Sequence, residues 1–125
     1  MLKERQAMAT VAVRDLETAR SFYEEILGLA PVEEEGGEAV TYKSGGTNLL
    51  VYESEYAGTN EATAVTWDVG PEMEGIVGDL KEKGVSFEHY DLPGMERQGD
   101  LHVSNGLKAA WFKDPDGNIL ALVGG

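Results

Sequence analysis

The chain has no cysteine, which excludes disulfides, thiolate metal sites and a cysteine nucleophile. Basic residues are scarce: ten Lys and Arg stand against 23 Asp and Glu, for a net charge of −13. Phosphate backbones need a basic footprint, so nucleic acid is not an expected partner. No apolar run approaches the roughly 20 residues that span a bilayer. The opening "MLKERQAM" is charged and lacks the apolar stretch of a signal peptide. The expected compartment is therefore the cytoplasm, with no membrane partner. Catalytic signatures are missing too. There is no nucleophile elbow, and the glycine pairs Gly36-Gly37 and Gly45-Gly46 lack the helix-opening context of a phosphate loop. The acidic excess draws cations and speeds their encounter. It also keeps a protein soluble, and composition alone leaves both roles open.

What is present is a 125-residue chain with 42% hydrophobic and 26% charged residues, one domain's worth with enough apolar material for a core. Thr10 to Val13 reads as a strand. Asp15 then stands where a helix N-cap belongs, and Glu17 suits the first turn. Leu16, Ala19, Phe22, Tyr23, Ile26 and Leu27 recur at helical spacing, and Gly28 is placed for a left-handed cap. The second half repeats this plan: Met73, Ile76, Val77 and Leu80 form a helical stripe that ends at Gly84. Val13 precedes Gly28 by fifteen residues, and Val69 precedes Gly84 by the same fifteen. Short strands with turn chemistry at Gly45-Gly46, Asn105-Gly106 and Asp116-Gly117 follow each helix. The expected fold is α+β. Two βαβββ units, about 8–54 and 62–123, build a single domain across the polar link "EYAGTNEA", with a curled mixed sheet, a concave cup and helices on the outside.

"VRDLETARSFYEEILGL" near the start, "LKEKG" ending the second helix and "FKDPDGNILAL" near the end together resemble the vicinal-oxygen-chelate superfamily. That superfamily includes glyoxalase, the bleomycin-resistance proteins and the extradiol dioxygenases. In its metal-dependent members, the resemblance implies, a divalent cation sits in the cup. Its His and Glu ligands come from the first and last strand of each unit. The corresponding positions here are Met8, Leu49 (Leu50 with a one-residue slip), Ala64 and Ala121. A thioether and alkyl groups do not bind hard cations, so no cofactor is expected. A divalent metal would need non-standard ligands, for which His89, His102 and Glu53 are the candidates. Glu53, Glu88 and His89 are also the candidate acid–base residues.

Strand alternation suggests the lining of the cup. Taking Asp114 to Gly117 as the turn pairs Phe112 with Ile119, Trp111 with Leu120 and Ala110 with Ala121. Met8, Thr10, Ala12, Leu49, Ala64, Thr66, Ala110, Phe112, Ile119 and Ala121 then face the cup, with Tyr52, His89 and Tyr90 at its rim. Trp111, Leu120 and Leu122 face the helices. An apolar lining with few hydroxyls suits a small, partly aromatic molecule. Two functions follow. One is a metal-independent binding protein, resembling the bleomycin-resistance group, that sequesters an apolar or cationic ligand and forms a homodimer. The other is a glyoxalase- or dioxygenase-like lyase, isomerase or oxygenase with a non-standard metal or an acid–base site.

Overall fold

The structure, a computed structural model, describes all 125 residues apart from the side chain of Glu35. The chain forms two compact units, Met1–Thr59 and Asn60–Gly125. They meet in sequence within the polar link.

In the first unit, β1 (Ala9–Val13) leads into α1 (Leu16–Arg20), which continues as π-helical turns over Ser21–Ile26. Asp15 caps the helix as expected, accepting from the Thr18 N–H at 3.2 Å. The wider π turn lets the adjacent Phe22 and Tyr23 both bury. Gly28, at φ 75°, closes the helix, and the Leu29 N–H reaches back to the Tyr23 carbonyl at 3.0 Å. Then come β2 (Ala30–Glu35), β3 (Ala39–Ser44) and β4 (Thr47–Glu53). The strand order is β1-β4-β3-β2, with β1 and β4 parallel and the other pairs antiparallel.

One face of this sheet is dry. Val11, Val13, Val40, Tyr42, Leu49 and Val51 bury there together with Leu16, Ala19, Phe22 and Tyr23. Each large side chain contributes roughly 1.5–3 kcal/mol by leaving water. Tyr42 stacks on Tyr23 with ring centroids 6.1 Å apart. Its hydroxyl donates to Glu24 Oε2 at 2.8 Å, which satisfies the polar end of an otherwise apolar body.

The second unit runs β5 (Thr63–Gly70), α2 (Met73–Glu82), β6 (Phe87–Glu88), β7 (Glu96–Gln98), β8 (Leu101–Ser104), β9 (Leu107–Lys113) and β10 (Ile119–Gly124). Its order is β5-β10-β9-β8-β7, with β6 also on β9. It therefore exceeds the expected βαβββ plan by two short strands. The physical reason is that one edge of β9 is shared. β6 takes Trp111 and Phe112, while β8 takes Leu107 to Ala109. Asn105 at φ 49° and Gly106 at φ 83° make the two-residue β8–β9 hairpin that their sequence announced. α2 buries Met73, Val77 and Leu80 and packs against β5 and β10.

The β9–β10 register differs from the one expected. Lys113 pairs with Ile119, Phe112 with Leu120, Trp111 with Ala121 and Ala110 with Leu122. The loop holds five residues, because the Asp114 N–H bonds to the Asn118 carbonyl at 3.0 Å. One added residue exchanges the faces of every side chain on β9 relative to β10. Ala110 and Phe112 accordingly join Leu120 and Leu122 in the core, at 0–4% exposure. Trp111 moves to the opposite face with Ala121.

Candidate functional site

Each sheet keeps one face clear of its helix. On the first, Thr10 and Ala12 lie beside Leu50 and Tyr52, which are their partners in β4. Met8 precedes β1 in the same alternation and is 42% exposed. It borders a shallow cleft of about 450 Å³ with Gln6, Ala7, Gly46, Thr47 and Asn48. Leu49 lies on the other face, buried at 3% opposite Tyr42. The one-residue slip, Leu50, is thus the residue that shares the open face. Glu53 alternates with Leu49 and points toward the helix side. Its Oε2 accepts the Leu16 N–H at 2.9 Å, so it serves the start of α1.

On the second sheet, Thr66 pairs with Ala121 and Thr63 with Ile119, placing these four on one face. Ala64 falls in the irregular step between the Thr63 and Val65 pairings and is exposed. Trp111 joins the same face through its pairing with Ala121, and its indole N–H donates to Thr63 Oγ1 at 3.2 Å. Glu88 pairs with Trp111, and His102 with Ala109, two residues from Trp111. The result is an aromatic cluster at one end of the open face. His102 and Trp111 meet edge-to-face at 4.8 Å, Tyr90 and Trp111 at 5.3 Å, and Tyr90 and His102 at 6.0 Å. The Tyr90 N–H donates to His102 Nε2 at 2.9 Å. Such a surface can stack a flat ring or hold a cation over an aromatic face.

Of the residues expected at the rim, Tyr90 is in this cluster and Tyr52 lies on the open face of the first sheet. His89 points elsewhere. Its Nε2 lies 2.8 Å from Asp100 Oδ1, whose other oxygen takes Lys81 Nζ at 2.6 Å. Those bonds, Lys81's first and His89's second, hold the Asp100 carboxyl below its ordinary range. Glu88 lies 3.7 Å from Lys113 Nζ, a weak, half-exposed pair.

The superfamily's divalent cation does not suit these residues. Met8, Leu50, Ala64 and Ala121 offer a thioether, an alkyl chain and two methyl groups. The substitute set is dispersed as well. His89 is bound to Asp100, His102 Nε2 to Tyr90, and Glu53 to the backbone of α1. Among the described residues no group of three His, Asp or Glu is placed to hold a metal. The sequence reading missed Trp111 and Thr63 as neighbours of the site, and took His102 only as a metal candidate. The one signal that could have found Trp111 is the length of the loop after Lys113.

Among the described residues, no helix is long and apolar enough to cross a membrane. No curated protein matches the sequence. Solved structures that share its fold include a lactoylglutathione lyase from Agrobacterium tumefaciens, with a TM-score of 0.72 and 19% identity over 96% of this chain and 92% of that one. The fosfomycin resistance protein FosX from Listeria monocytogenes gives 0.70 and 16% over 96% and 92%. TnmS3, an antibiotic-binding protein from Streptomyces sp. CB03234, gives 0.66 and 20% over 94% and 92%. At these identities the likeness concerns the fold alone. A family match is independent of them and spans residues 5–122, both strand–helix units included; the chain belongs to the glyoxalase/bleomycin resistance protein/dioxygenase superfamily.

Proposed function

We propose that this protein binds a small, partly aromatic molecule without a metal and sequesters it unchanged, as a single domain of two related units acting in a homodimer. The observation that carries the reading is the chemistry of four side chains. Met8, Leu50, Ala64 and Ala121 stand where the superfamily resemblance calls for metal ligands, and none is a hard donor. The open face of the second sheet supplies stacking surface from Trp111 and Tyr90 and hydroxyls from Thr63 and Thr66. That mixture of apolar area with a few polar groups is what small-molecule sites present. A net charge of −13 favours a cationic or neutral ligand over an anion. The antibiotic-binding and fosfomycin-resistance neighbours support a drug-like ligand by analogy of fold.

A native mass spectrum of untagged protein, set against its denatured mass, tests the reading. The expected result is a dimer without metal that carries a co-purified or added organic molecule. Dialysis against EDTA should leave that molecule bound, and it should be recovered chemically intact. One metal per chain, or a ligand returned as product, would instead establish the enzymatic alternative. A monomer at micromolar concentration would remove the dimer from the proposal.

A further inference from the structure

His102 is buried to 1% exposure, and its Nδ1 is the one buried side-chain polar atom, among the described residues, without a protein partner. Its other nitrogen is engaged: Nε2 accepts the Tyr90 backbone N–H at 2.9 Å. A ring nitrogen that accepts from an N–H carries no proton, so the neutral imidazole carries its hydrogen on Nδ1. The orphan is therefore a donor, and buried donors are rarely left unmet.

Its surroundings indicate what would meet it. Two rings touch the imidazole, Trp111 at 4.8 Å and Tyr90 at 6.0 Å. Trp111 is held by pairing with Glu88 on one side and Ala121 on the other, and its indole N–H is tied to Thr63. Tyr90 lies between β6 and β7, in a segment with neither helix nor strand. Its ring lies in edge contact with Trp111 and tilted over His102. Glu88, paired with Trp111 on the same face, disfavours an anionic ligand there.

We propose that His102 is the polar anchor of the ligand subsite on the second sheet. Its Nδ1–H donates to a carbonyl oxygen of a flat aromatic ligand, neutral or cationic, that stacks on Trp111 when the Tyr90 ring swings aside. This rests on the small-molecule-binding reading and adds the ligand's chemistry to it.

The test uses 1-methylnicotinamide, an aromatic cation with a carboxamide carbonyl, and N-methylpyridinium, which lacks the carbonyl. With histidine ¹⁵N-labelled protein, 1-methylnicotinamide should move the His102 Nδ1–H resonance downfield. Two variants separate the nitrogens. In His102→Gln the side-chain oxygen can replace Nε2 as acceptor for Tyr90, but no donor stands at Nδ1; affinity should fall about tenfold. In His102→Asn the amide nitrogen replaces Nδ1, and affinity should recover part of what His102→Gln loses. N-methylpyridinium should bind the wild type about tenfold more weakly than 1-methylnicotinamide. If 1-methylnicotinamide binds with the Nδ1–H unmoved and His102→Gln unaffected, the anchor is overturned while the binding function stands. No binding at millimolar concentration also overturns the anchor, and the native mass spectrum then judges the binding function separately. A resident water on Nδ1–H that persists in the complex overturns it as well. Should His102→Gln fail to fold, the wild-type resonance decides alone.

Discussion

Glu53 illustrates how a residue's role depends on its partner. As a sequence letter near the end of a strand it is a candidate base. In the fold its carboxylate accepts the first free N–H of α1, from Leu16, at 2.9 Å, a bond that offsets one of the unpaired donors every helix start carries. Glu53→Ala should therefore cost about 1 kcal/mol of stability, lowering the melting temperature by roughly 3–5 °C, with ligand binding unchanged. Lost binding at unaltered melting temperature would return Glu53 to the functional site. Tyr42 gives a second case. Glu24 accepts from both the Tyr42 hydroxyl at 2.8 Å and Arg20 Nε at 2.7 Å. Burial raises the Glu24 pKa, but those two bonds outweigh it and the net direction is down. Tyr42→Phe removes a bond to a charged acceptor and should cost roughly 2 kcal/mol in chemical denaturation; a loss below about 0.5 kcal/mol would mean that water replaces the hydroxyl. Neither partnership was legible in the sequence, because both join residues far apart in the chain. Asp15 was legible, since an N-cap bonds its own neighbourhood.

The loop between β9 and β10 decides which side chains reach the open face of the second sheet. Asp114 organises it: Oδ1 accepts from the Asp116 and Asn118 N–H groups at 2.9 Å each, and Oδ2 accepts from Asn118 Nδ2 at 2.8 Å. The sequence announced a turn here but not its length, and the length sets the parity of the hairpin. One residue more than expected exchanged Trp111 with Phe112, so the same strands were legible while Ala110 and Phe112 were assigned to the open face in place of Trp111. β1 had no such ambiguity. Val11 and Val13 bury and Thr10 stays exposed, as alternation required. Because Asp114 is 5% exposed, Asp114→Ala leaves buried N–H groups unmet and should cost about 3 kcal/mol. The more specific expectation concerns the site. Trp111 fluorescence, read in a Trp67→Phe background, should red-shift as the hairpin loosens and Trp111 meets water. An unchanged spectrum would mean the register is held by the strands and not by the loop.

Over the whole molecule, 23 acidic residues against ten basic ones set two opposing dependences on pH. Asp15, Glu24, Glu74 and Asp100 all have lowered carboxyl pKa values in the fold, through hydrogen bonds and cations that favour their charged form. A group lowered on folding adds stability above its unfolded pKa, near 4, and that stability is lost as pH falls through the folded value. These four therefore make the protein acid-labile below about pH 4. The remaining carboxylates act in the other direction. At pH 7 they repel one another across a molecule of net charge −13, which disfavours the compact state. As pH drops toward the chain's isoelectric point near 4.4 the net negative charge shrinks and the repulsion eases, while the four lowered groups keep their charge to lower pH. The melting temperature in about 20 mM salt should consequently peak near pH 5, fall steeply below about pH 4 and decline gently toward pH 8. At about 500 mM salt the Debye length shortens to roughly 4 Å, and the decline above pH 5 should disappear while the acid limb remains. Thermal melts across pH 3–8 at the two salt levels measure both limbs. A melting temperature that climbs from pH 5 to 8 at low salt, or falls on adding salt at pH 7, would show that ion pairs such as Lys81–Asp100 and Lys108–Glu74 outweigh the repulsion.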